Sequence, residues 1–216
     1  MTTSVLSATL PREPRPLPTW VIFCAAAIMA MLFSAALDAI LFYGWPVKLR
    51  QGAGSPPGNW ILVTSILMQP LTLALRVALV ALVAQAFLLV AGESTSFRLL
   101  FRCALIASFA MLVQLFLTLA PIFQHHDLTH LHLVPGTLNA VLPGLAASPI
   151  WGPLGRILSV LEIVWLALLY RALRRGSQVS AGKAALAVGG TWLLSILVGW
   201  ALGLMPHLLG LAPATT

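Results

Sequence analysis

Five runs of apolar residues, each long enough to cross a bilayer as a helix, constrain this chain more than any other feature. They cover residues 20–43, 60–91, 99–123, 150–170 and 184–204. A hydrocarbon core about 30 Å thick needs about 20 apolar residues in helical form. The chain is 60% hydrophobic and 8% charged, whereas a soluble globule carries about a quarter of its residues as charges. The expected fold is therefore all-α, a polytopic transmembrane bundle of about five helices. It divides into a segment at 1–19, a single bundle at 20–209 and a short tail at 210–216.

Two runs have features of their own. The first follows Arg12 and Arg15 as a signal peptide would, but it is about twice the length of an h-region, so an uncleaved helix is expected. The second contains Pro70, which predicts a kink, a tilt or a re-entrant turn, because proline removes one bond of the helical ladder. Trp20, Tyr43, Trp45, Trp60, Trp151 and Tyr170 fall near run ends, where amphipathic rings favour the headgroup region.

The formal charge of +7 comes from short clusters between the runs, which argues for topology determination and against a nucleic-acid partner. Arg12, Arg15, Arg98, Arg102, Arg171, Arg174, Arg175 and Lys183 fall on one side of a five-helix plan, and Lys48 and Arg50 on the other. The positive-inside bias then puts the N-terminus in the cytoplasm and the C-terminus outside. Arg171, Arg174, Arg175 and Lys183 are expected against anionic lipid headgroups. Cys24 and Cys103 lie in or beside apolar runs without ligand spacing and are expected as free thiols.

Charge is costly at membrane depth, so Asp38, Arg76, Arg156 and Glu162 are the first functional candidates. Ser65, Gln69, Thr72 and Arg76 recur every three to four residues and form a polar stripe on one face of the second helix. Two ion pairs are expected, Arg76 with Glu162 and Asp38 with Arg156; the competing reading is a proton, ion or substrate path along the stripe. Small residues form two further faces. Ala26, Ala30, Ser34 and Asp38 lie along the first helix, and Thr191, Ser195, Gly199 and Gly203 along the last. Such faces let helix backbones approach closely, within the bundle or against a partner or second copy.

The segment "FQHHDLTHLH" gathers four of the five histidines with an aspartate. His126 and His130 would share a helical face beside Asp127, with His125 and His132 joining through a turn, so zinc ligation is arithmetically available. The H-E-x-x-H spacing is missing, and the competing reading is a polar interfacial loop without cofactor. No nucleophile elbow, phosphate-binding glycine loop or assembled acid, base and nucleophile set is visible, so a non-enzymatic role is expected.

From Gly92 onward, "GESTSFRLLFRCALIAS", "LSVLEIVWLALLYRALRR" and "VSAGKAALAVGGTWLLSIL" resemble the bacterial branch of the Yip-type membrane proteins. Ser96, Phe97, Arg98, Phe101 and Arg102, then Ile163, Trp165, Leu166 and Leu168, then Val179, Ser180, Lys183 and Ala184 carry the likeness. The resemblance implies a five-helix Yip domain without catalytic residues; its eukaryotic relatives bind small GTPases in membrane traffic. The expected function is a membrane scaffold or accessory subunit that binds a membrane-protein partner and anionic lipid. The alternative is a transport component for a small molecule, ion or metal, using the polar stripe and the histidine loop.

Overall fold

The computed structural model describes residues 17–43, 58–125, 134–146, 148 and 150–208, and among them all regular structure is helical. In chain order the segments are α1 (Thr19–Tyr43), α2 (Asn59–Val90), α3 (Phe97–Leu117), α4 (Leu119–His125), α5 (Leu138–Val141), α6 (Pro143–Ala146), α7 (Trp151–Ile157), α8 (Val160–Gly176) and α9 (Ala181–Leu208). Four stretches, Thr19–Tyr43, Trp60–Val90, Phe97–Gln124 and Ala181–Met205, are long and apolar enough to cross a membrane. This is a membrane protein built as a helical bundle. Helix α2 passes through Pro70 without a re-entrant turn, as transmembrane helices tolerate when neighbouring groups satisfy the freed backbone.

The expected span at 150–170 is corrected. The chain is helical over α7, extended at Leu158 and Ser159, and helical again over α8, which continues beyond Tyr170 to Gly176. The break has a local cause. Ser159 adopts extended backbone angles and its hydroxyl accepts the Glu162 N–H at 3.1 Å, so a new helix is capped there. The extended pair is also held from outside: Leu138 N–H donates to Leu158 O at 2.8 Å, and Val160 N–H to Gly136 O at 2.9 Å. Ser-x-x-Glu at 159–162 is the residue pattern of a capping box, a signal that apolar run length conceals.

One end of the bundle collects the basic residues. Helix α2 closes in a Schellman turn, with Gly92 at φ 76° and Glu93 N–H donating to Leu88 O at 2.9 Å, which turns the chain directly into α3. Arg102 donates to Leu17 O at 2.9 Å, Lys183 meets Glu93 at 2.9 Å, and Gly176 lies against Leu99. These contacts bring the starts of α1, α3 and α9 to the same end as the close of α2 and α8. Among the described residues the four long helices and the shorter α8 thus alternate in direction.

The core is made of small residues on facing stripes. Ala26, Ala27 and Ala30 of α1, Leu73, Val77, Ala81 and Leu88 of α2, and Trp165, Leu169 and Leu173 of α8 pack around α3, where Leu100, Cys103, Ala104 and Ala107 are buried, and Ala184, Ala187 and Val188 of α9 close the core on α2 and α8. Alanine at these positions lets backbones approach closely, which replaces the hydrophobic drive that lipid does not supply. Farther from the basic end, Ile40 packs with Leu119 and Ile122. There α5, α6 and α7 fold over the mouth of the bundle, tied by the Trp200 indole N–H donating to Ile150 O at 2.8 Å.

Candidate functional site

The polar stripe of α2 divides between two environments. Toward the α2 start, Ser65 donates to the Asp38 carboxylate at 3.2 Å and Gln69 lies 3.5 Å from the Ser34 hydroxyl, so this half is spent on α1. The other half, Thr72 and Arg76, lines a cavity of about 610 Å³ between α2, α3, α8 and α9. Ser65 and Arg76 differ by only about 20° around the helix axis, so the stripe changes neighbours with position along α2 and not by rotation.

The cavity is a wedge between α2 and α9. On the basic side Gly190 admits the Phe87 ring so closely that a Cβ there would lie 2.6 Å from it, which pins the two helices together. Beyond that point they part. Exposed Leu75 and Leu79 of α2 and exposed Leu194, Val198 and Leu202 of α9 form the two sides, with Ser108 and Met111 of α3 and Trp165 of α8 behind. Because the side walls are exposed apolar residues on membrane helices, the wedge faces the lipid.

Arg76 and Glu162 are the charged residues lining this cavity. Each stands the same number of residues from the basic end of its helix, Arg76 from Val90 and Glu162 from Gly176, and Ser195 stands equally far from Ala181. At 1.5 Å per residue that places all three about 21 Å along their axes from that end, in one layer.

The expected Arg76–Glu162 neighbourhood is therefore present, but the ion pair is open: among the described residues the salt bridge is Lys183–Glu93. Arg76 is exposed toward the wedge while Glu162 is half-buried at the start of α8. The Trp192 indole N–H approaches the Glu162 carboxyl without reaching hydrogen-bond geometry. The hydroxyls around the charges are already committed. Thr72 donates to Gln69 O at 2.9 Å, Ser108 to Leu105 O at 2.7 Å, Thr191 to Ala187 O at 2.7 Å and Ser195 to Thr191 O at 2.8 Å. Thr72 and Ser195 are exposed on the cavity side while Ser108 and Thr191 are buried in its wall, and none has a proton left to give, so Arg76 is its principal donor.

The other candidates are placed as follows. The Asp38–Arg156 pair is not formed: Asp38 is on α1 against α2, and Arg156 is exposed in the last turn of α7, which packs on α9. The break at Leu158 and Ser159 removes Arg156 from the helix that holds Glu162 and puts it on α7, away from α1. Ala30 and Ser34 are buried inside the bundle. Gly199 and Gly203 face α7: a Cβ on Gly203 would lie 2.7 Å from Pro153 Cβ, and one on Gly199 3.0 Å from Ile157 Cδ1. Both small-residue faces therefore pack within the chain, and Ser195 lines the cavity.

At the basic end Lys183 is held by Glu93 and Arg174 donates to Val179 O at 2.6 Å, while Arg171 and Arg175 of that cluster are exposed. His125 closes α4, while His126, Asp127, His130 and His132, like Arg12, Arg15, Lys48 and Arg50, lie outside the described residues.

Comparison of the chain with protein-family models, with curated proteins and with solved structures finds no match.

Proposed function

We propose that this protein binds an amphipathic small molecule inside the membrane, as a carrier or transport component of a bacterial inner membrane. The observation that carries the reading is the lipid-facing wedge with Arg76 and Glu162 in one layer, both lining it and neither closed on the other. Charges at this depth are costly unless they are paired or used. A cavity of about 610 Å³ falls within the roughly 300–1,000 Å³ of small-molecule sites, which combine apolar walls with few polar groups. The clustering of Arg171 and Arg175 with the other basic residues at one end supports a cytoplasmic N-terminus through the positive-inside bias. A Yip-like five-helix plan is compatible with this role. A partner-binding scaffold has less support, because the glycines expected to meet a partner helix meet α7 instead.

Native mass spectrometry of the protein released gently from its own membrane tests the reading. One amphiphile should remain bound per chain, and Val198→Trp, which fills the wedge without touching either charge, should remove it. A bare wild-type chain, or an adduct untouched by Val198→Trp, would refute the proposal. The same spectrum reports stoichiometry, any protein partner and any zinc bound by the histidine segment.

A further inference from the structure

We infer that the wedge selects a zwitterionic amphiphile carrying both a phosphate and an ammonium group, a phosphoethanolamine lipid being the simplest, which enters sideways from the bilayer. This rests on the proposed binding role and adds the chemistry of the head. Three observations carry it. The cavity holds one cation and one anion in the same layer, so its complement is a head that has both charges and none in excess. The two side chains do not bridge each other, and a head with its charges separated by a short linker can reach both.

The third observation is the imbalance of donors. Thr72 and Ser195, the exposed hydroxyls of the wall, have given their protons to their own helices, so the wall offers lone pairs and one carboxylate against the single guanidinium of Arg76. A purely anionic head would find one donor and be repelled by Glu162. An ammonium brings three N–H donors into a wall rich in acceptors, while the phosphate takes the planar fork of Arg76. A purely cationic head would leave Arg76 unmet at a depth where an unpaired charge is costly.

The geometry also assigns the path. The walls on either side of the mouth are exposed Leu75, Leu79, Val198 and Leu202, so the acyl chains can stay in lipid while the head lies in the layer of Arg76 and Glu162. Behind the mouth, Phe87 against Gly190 closes the wedge toward the basic end, and the head enters from the side where α2 and α9 diverge.

The test uses the full-length protein, purified and delipidated in detergent, titrated with three lipids of equal chain length: a phosphoethanolamine lipid, a phosphoglycerol lipid and an alkylammonium. The phosphoethanolamine lipid should bind about tenfold or more tightly than either of the others. Arg76→Gln and Glu162→Gln should each abolish that preference. The charge-exchanged pair Arg76→Glu with Glu162→Arg should restore it, which separates recognition from loss of fold. Tightest binding of the phosphoglycerol lipid, strengthened by Glu162→Gln, would overturn the inference in favour of a plain anion site. Equal binding of all three, blocked by Val198→Trp, would overturn it while leaving the proposed binding role intact. Binding that Val198→Trp does not touch would overturn both.

Discussion

Gly155→Ala is the substitution whose cost the structure sets most sharply. A Cβ on Gly155 would lie 2.0 Å from Asn139 Oδ1 and 2.9 Å from its Cγ, where carbon and oxygen ordinarily approach no nearer than about 3.3 Å. Asn139 has little room to retreat, since it is 1% exposed and its amide donates to Gly152 O at 3.0 Å. Relief must come from swinging the amide away or from lifting α7. The first strands a buried polar group, at about 1–3 kcal/mol, and the second overpacks or opens the contact with α9, at a further 1–3 kcal/mol or so. The expected destabilisation is about 2–5 kcal/mol.

The control is Asn139→Ala, which removes the obstructing oxygen. In that background Gly155→Ala should lose its penalty and show the roughly 0.8–1 kcal/mol preference of a helix for alanine over glycine. Reversible unfolding in mixed micelles, followed by far-ultraviolet circular dichroism across the four chains of the cycle, gives the coupling directly. Equal costs of Gly155→Ala in both backgrounds would show that Asn139 does not hold α7 in place.

Three further outcomes are expected. Ser159→Ala should cost about 0.5–2 kcal/mol by removing the cap of α8, and should lower retention of the bound amphiphile in native mass spectra because Glu162 stands in the first turn of that helix; unchanged stability and retention would count against the capped start. Lys183→Ala should cost no more than about 1 kcal/mol in the same unfolding assay, because the pair with Glu93 is 2.9 Å long but about one-third exposed on each side; a much larger loss would mean that the pair organises the basic end. In the folded bundle an apolar maleimide should label Cys24, which is exposed, and spare Cys103, which is 3% exposed, until the helices are unfolded. Equal labelling before unfolding would contradict the central burial of α3.

The sequence by itself determined that this is a helical membrane bundle. The first, second, third and last apolar runs became α1, α2, α3 and α9 with small shifts at their ends, because run length against bilayer thickness needs no knowledge of neighbours. The shared level of Arg76 and Glu162 was also legible from their places in their runs. Tertiary structure decided everything that depends on which face meets which helix. It divided the stripe, giving Ser65 and Gln69 to α1 and Thr72 and Arg76 to the wedge, since a period close to 3.6 is compatible with either neighbour. It broke the fourth run at Ser159, where a cap and two backbone bonds from Gly136 and Leu138 outweigh continuous apolarity. It also turned Gly199 and Gly203 inward onto α7, because small residues record that something packs closely and not what does.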